Sequence, residues 1–196
     1  MTALRAVVFD VGETLIDETG LWERAADAAG VPRFTVMGVL GGLIVREEPH
    51  TEVWRTLGVS HPASSWTLAD LYPDALFCIE ALRALGLRVC AVGNTPQETE
   101  GLLAGVVDVL GSSERWGVAK PSPAFFARVI DAVGVGPAEI AYVGDRVDND
   151  IRPARSAGMV AVHIRRGPWG YLQSGSKDAD LQISSLSELP ARLTRL

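Results

Sequence analysis

Cysteine and histidine are scarce in this 196-residue chain: Cys78 and Cys90, and His50, His61 and His163. The two cysteines fall in a predicted helix and a predicted strand without metal-ligand spacing. They read as buried thiols, which argues against a disulfide framework or a zinc cluster. The histidines show no spacing of a metal pair or a catalytic triad, and Arg165-Arg166 is the nearest thing to a basic stripe. With 18 Lys and Arg against 24 Asp and Glu, the net charge is −6. Nucleic acid is held by clustered basic residues, so no such partner is expected. No apolar run approaches the roughly 20 residues that span a bilayer. The chain runs from Met1 almost directly into an apolar strand, leaving no room for a signal peptide. The expectation is a cytoplasmic protein with no membrane or nucleic-acid partner.

What is present is ordinary in amount and ordered in arrangement. A hydrophobic fraction of 47% and a charged fraction of 21% suit one globular domain with a modest insertion. Apolar patterning predicts a first strand over residues 4–10. Helical spacing follows over 18–65, with Leu21, Ala25, Ala28 and Ala29 on one face and Val36, Val39, Leu40 and Leu43 on the next. Residues 60–65 read as a linker. From residue 74 helix and strand alternate, beginning with a helix through Leu76, Ile79, Leu82 and Leu85. Strands are predicted over 87–92, 106–110, 140–143, 160–164 and 181–183, with helices over 123–133 and 152–157 between them. Such alternation makes a parallel sheet covered by helices on both faces, an α/β Rossmann-like core. The core comprises 1–16 and 70–196, and 17–69 form a small helical unit.

Four segments bring chemistry to the carboxyl ends of those strands, where open α/β sheets bind ligands. Val8-Phe9-Asp10 delivers a carboxylate to a strand tip. Val92-Gly93-Asn94 makes a turn whose N–H groups suit a phosphate. Lys120 opens a helix, and Gly144-Asp145 runs on to Asn149-Asp150. A nucleophilic carboxylate, a phosphate-binding turn, a lysine and clustered carboxylates point to phosphoryl chemistry. Like charges gathered at a strand tip are unfavourable without a cation, which is a physical reason to expect a metal.

The order of these segments resembles the haloacid dehalogenase-like hydrolase superfamily over nearly the whole chain. The resemblance implies that 17–69 are a helical cap. It implies Asp10 as nucleophile, Lys120 holding it ionised, and Gly93, Asn94 and Lys120 binding phosphate. Mg²⁺ would be held by Asp10, the Gly12 carbonyl, Asp145 and Asp150, with Asn149 and Thr14 in support. The implied activity is Mg²⁺-dependent hydrolysis of a small phosphorylated metabolite through an aspartyl-phosphate.

Two positions depart from that pattern. The general acid and base of such phosphatases is an Asp two residues after the nucleophile, and here that residue is Gly12. The expected Ser or Thr before Asn94 is Gly93. Glu13, Asp17 and Glu18 lie near enough in sequence to substitute, with Glu13 the candidate acid. Loss of the acid leaves two further readings open: a dehalogenase, because halide departs without a proton, and a non-catalytic binding protein. Trp22, Trp54 and Trp66 are expected to fill the core of the helical unit, and Arg146 to face water.

Overall fold

The computed structural model describes residues 3–195. Within them six strands form one wholly parallel sheet: β1 (Ala6–Phe9), β2 (Arg88–Gly93), β3 (Val109–Ser112), β4 (Ile140–Gly144), β5 (Val160–Ile164) and β6 (Leu181–Ile183). Their spatial order is β3-β2-β1-β4-β5-β6. In register, Phe9 lies beside Ala91 on one side and Val143 on the other. β1 is thus central, and the strand order reverses direction between it and β4.

Three helices follow β1: α1 (Thr19–Ala29), α2 (Arg33–Val45) and α3 (Glu52–Thr56). Then come α4 (Ala75–Ala84), α5 (Glu98–Leu102), α6 (Ser113–Trp116), α7 (Pro123–Val133), α8 (Arg152–Ser156), α9 (Gly167–Leu172) and α10 (Leu189–Leu193). No single helix among the described residues is long and apolar enough to cross a membrane.

Successive strand residues point to opposite faces, so the apolar runs feed two cores at once. Val7, Phe9, Val89, Ala91 and Val143 pack with α4 and α10, while Ala6, Val8, Cys90, Val92 and Tyr142 pack with α7 and α8. Cys78 and Cys90 are wholly buried, one in each core, and burial pushes both thiols up to about 12. α7 is bounded as its sequence demands: Ser122 accepts the N–H of Ala124, Pro123 opens the first turn, and Gly134 closes it at φ 73°.

Three details differ from the sequence reading. α4 buries Ala75, Cys78, Ile79 and Leu82, whereas Leu76 and Leu85 are 49% and 48% exposed. Repeated steps of three fall about 60° short of a full turn each time, so a leucine series at that spacing drifts around the helix. The buried set alternates steps of three and one and stays on one face. In α1 the buried residues are Trp22, Ala25 and Ala26, while Ala28 is exposed. β3 begins at Val109, not at Val106, because Asp108 caps the neighbouring strand: its carboxylate accepts the N–H of Val89 at 2.8 Å.

α1, α2 and α3 build a third core of their own, which includes Trp22, Leu40, Trp54 and, from α9, Trp169. The chain leaves and re-enters the sheet at one place. Asp17 N–H donates to Asp70 O at 2.8 Å and Tyr72 N–H to Leu15 O at 2.9 Å.

Candidate active site

The reversal of strand order opens a crevice beyond the tips of β1 and β4. Asp10 follows β1, and its N–H donates to Val143 O at 2.8 Å, tying the tip to β4. β4 ends at Gly144, where an added Cβ would lie 2.5 Å from both Cβ and Cγ of Asp150. Glycine is required there because Asp150 folds back over it. The chain from Val147 to Ile151 makes a widened π turn, with Ile151 N–H donating five residues back to Arg146 O at 3.2 Å. That turn swings Asp150 under the strand tips.

Lys120 joins the two carboxylates: Nζ lies 2.5 Å from Asp10 Oδ1 and 2.6 Å from Asp150 Oδ1. Asn94 sets its position across the crevice. The Asn94 Nδ2 donates to Lys120 O at 2.9 Å and its Oδ1 accepts the Lys120 N–H at 2.7 Å. Burial alone would discharge the lysine, yet Asp10 and Asp150 hold its pKa well above the ordinary value. Burial raises Asp10 to about 6 against the pull of Lys120, with Asp150 adding to the rise.

Asp145 is different. It is only 1% exposed, and neither carboxylate oxygen has a hydrogen-bond partner among the described residues. Burial, then Asp150 and Asp10, push its pKa well above the usual range. Its backbone is fixed from behind by His163, whose Nε2 lies 2.9 Å from Asp145 O. One oxygen each from Asp10, Asp145 and Asp150 lie within 4.8 Å of one another. Converging, desolvated carboxylate oxygens are a donor set for a hard divalent cation.

The remaining candidates are placed as follows. Asn149 is half-buried and lines the crevice. Thr14 is wholly buried, its hydroxyl without a partner among the described residues and its carbonyl accepting from Arg166 at 3.1 Å. Gly93 is buried and crowded: a Cβ there would come within 2.9 Å of Thr95 Cγ2 and 3.2 Å of Val11 Cγ2. A serine would need both to shift, and Thr95 itself lines the crevice. Glu13 has φ 52°, the left-handed conformation that favours glycine. Tyr72 donates to its Oε2 at 2.6 Å and the Glu18 N–H to its Oε1 at 3.2 Å. Burial raises its pKa. Gly12 faces Glu18: a Cβ at residue 12 would land on Glu18 Oε1, well inside van der Waals contact. Burial, then Glu13, raise Glu18 to about 8.

Above this floor stands an aromatic wall. Trp22 stacks on Trp54 at 6.0 Å and meets His50 edge-on at 6.3 Å, and His50 meets Trp169 at 5.7 Å. Trp22 and Trp54 therefore serve the helical core, as expected, and line the cleft as well. Trp66 lines the cleft but packs against the sheet core with α4 instead of the helical core. Arg146 turns toward the cleft rather than to water, its guanidinium 5.2 Å from the Trp169 ring and paired with Asp148 at 2.8 Å. Sequence reasoning missed Trp169, Thr95 and the buried His163, and gave Glu18 no preference. Its one available signal was the empty side chain of Gly12, which needs a neighbour to fill the space. The cleft holds about 280 Å³, at the small end for ligand sites.

Known proteins resemble the chain in sequence and in fold. A glyceraldehyde 3-phosphate phosphatase of Methanopyrus kandleri is 30% identical over 224 aligned residues, covering 95% of each chain. A phosphoglycolate phosphatase of Aquifex aeolicus is 26% identical, again over 95% of each. The solved L-2-haloacid dehalogenase of Xanthobacter autotrophicus shares the fold, with a TM-score of 0.68 and 20% identity over 98% of both chains. The model of haloacid dehalogenase-like hydrolases matches residues 4–158. The chain belongs to the haloacid dehalogenase-like hydrolases.

Proposed function

We propose that the protein is a Mg²⁺-dependent phosphatase of a small phosphorylated metabolite, acting through an aspartyl-phosphate on Asp10. One observation carries the reading: buried Asp145 has two oxygens without a partner among the described residues, beside the Asp10–Lys120–Asp150 cluster. Burying an unpaired carboxylate is costly, and a bound cation removes that cost. Asp10, Asp145, Asp150 and the Gly12 carbonyl would hold Mg²⁺, which when bound offsets charge on the phosphoryl oxygens.

Everything else falls to the chain. Asp10 attacks phosphorus, and Lys120 keeps it ionised while offering positive charge to the phosphoryl group. Gly93 and Asn94 present N–H groups to the phosphoryl oxygens, and the Asn94 side chain fixes Lys120. Thr14 and Asn149 support the loops. Residues 17–69 act as a cap over the core formed by 1–16 and 70–196, and the small cleft beneath them suits a small metabolite. Two unpaired cysteines suit a reducing, cytoplasmic setting.

The relatives named as phosphatases support phosphate-ester chemistry. The dehalogenase likeness bears on fold alone, and halide displacement gives Asp145 nothing to bind. The test is release of p-nitrophenol from p-nitrophenyl phosphate, with and without Mg²⁺. Release that needs Mg²⁺ and vanishes in Asp10→Asn is the expected result. No release above the Asp10→Asn control would overturn the reading.

A further inference from the structure

We propose that Glu18 is the general acid and base of this site, supplying from the start of α1 the carboxylate that Gly12 lacks. The assignment rests on the phosphatase reading and extends it to the proton transfers. Its warrant is positional. A side chain at residue 12 would have to enter the volume that Glu18 already fills: the built Cβ falls on Oε1, 3.1 Å from Cδ and 3.8 Å from Cγ. A carboxylate therefore stands where a side chain from position 12 would project, delivered from six residues downstream. Glu18 lines the same cleft as Asp10, Lys120 and Asp145.

The local hydrogen bonds select Glu18 over its neighbours. Its Oε2 accepts from Trp22 Nε1 at 3.4 Å and its own N–H is held by Glu13. Oε1, the atom beside Gly12, accepts no hydrogen bond from the described residues and is free to meet a substrate oxygen or a water. Glu13 has a donor on each oxygen. Asp17 accepts from Thr19 N–H at 2.9 Å and does not line the cleft. The longer glutamate arm is what position 18 needs to reach the space beside Gly12.

The proton balance closes on this one group. As Asp10 Oδ bonds to phosphorus, the P–O ester bond breaks and the departing alkoxide takes the proton of the Glu18 carboxylic acid. Glu18, now ionised, takes a proton from a water whose oxygen attacks phosphorus. The bond between phosphorus and Asp10 breaks, releasing inorganic phosphate with both carboxyl groups restored.

The test follows the phosphoenzyme with p-nitrophenyl phosphate, whose leaving group needs no acid, and with glycerol 2-phosphate, whose leaving group does. Glu18→Gln keeps the shape and an acceptor for Trp22. It should still release one equivalent of nitrophenol at the wild-type rate, then turn over about 10²–10⁴-fold more slowly. Intact-mass measurement should find one phosphoryl group trapped on the protein. Glycerol 2-phosphate should be slowed in the first step as well. Glu18→Ala should lose turnover, and adding Gly12→Asp to it should restore turnover by returning a carboxylate to the vacated space. A purely structural Glu18 would slow burst and turnover together, and that result overturns the assignment. So does unchanged turnover in Glu18→Gln while the wild type remains active. A wild type that hydrolyses neither ester overturns the phosphatase reading itself, and this assignment with it.

Discussion

The floor and the wall of one cleft are built on different principles. The floor is four charged side chains, none more than 7% exposed. Asp10, Asp145 and Asp150 are set by the tips of the adjacent strands β1 and β4 and the turn after β4. Lys120 is held from the loop after α6 by Asn94, which follows β2. The wall is rings from separate parts of the chain, Trp22 of α1, His50, Trp54 of α3 and Trp169 of α9, set by packing against one another. Strand tips, hydrogen bonds and ion pairs fix the first, and side-chain shape fixes the second. The floor should then govern rate constants and cation response, and the wall should govern which substrate is held.

The sharpest division is expected at Asp10. Asp10→Asn removes the nucleophile while keeping its shape, so kcat should fall by about 10⁴-fold or more, with no phosphoenzyme by mass. Retained turnover would mean that the strand tip is not where the chemistry happens.

Lys120→Met tests what holds the floor together. It leaves Asp10 and Asp150 buried without their cation, a loss of about 3–5 kcal/mol for a broken buried pair. At about 2–4 °C per kcal/mol for a chain of this size, the metal-free Tm should drop by roughly 10 °C. Asp145→Asn should act oppositely, leaving that Tm unchanged or raised, because the amide needs neither a buried charge nor the uptake of a proton on folding. Mg²⁺ at about a hundred times its Kd should stabilise the wild type by about 2.7 kcal/mol, and Asp145→Asn should lose that gain. Scanning calorimetry with and without Mg²⁺ reads all three. Equal Tm losses in both variants would show that the floor is held by packing and not by charge.

On the wall the effects should be smaller and of another kind. Trp54→Phe keeps an aromatic ring but changes its reach, so KM should rise by up to about 10-fold while the single-turnover rate stays within a factor of two, on the scale of about 1 kcal/mol for aromatic contacts. A fall in kcat with unchanged KM would place the wall in the chemistry.

The same division explains what was legible in the sequence. Asp10, Gly93-Asn94, Lys120 and Gly144-Asp145 each follow an apolar run or open a helix, and a parallel sheet leaves such residues at one edge. The sheet and the floor could therefore be read from local pattern. Trp169 lies far from Trp22 in the chain, and nothing in either segment signals that α9 closes the core of α1–α3. Glu18 was legible as one of three acids near enough in sequence to substitute at Gly12, but not as the one whose side chain stands beside it. His163 reads as a strand residue because its ring serves the backbone of Asp145.

The smallest effect is also the one that sets floor and wall against each other directly, the pH dependence of stability without metal. Burial lowers the pKa of His50 in the wall and of His163 beneath the site. Below about 6.5 the unfolded chain binds protons that these folded imidazoles refuse, so their contribution rises with pH and levels off above that point. Glu18, raised from 4.5 to about 8, has the opposite sign. The folded protein holds a proton that the unfolded chain has released, so this stability is complete below about 4.5 and lost as pH rises through about 8. Asp145 is raised too and works in the same direction, as does the tail of Asp10, which at about 6 is mostly titrated before the window opens. Between pH 6.5 and 8 the falling contributions, each at most about 1.4 kcal/mol per pH unit, outweigh what remains of the histidines' rise. Metal-free Tm should therefore decline across that window, less steeply in Glu18→Gln and unchanged in slope in Trp54→Phe. A flattened slope in Trp54→Phe would mean that the wall sets the burial of Glu18, and that the two surfaces are one device.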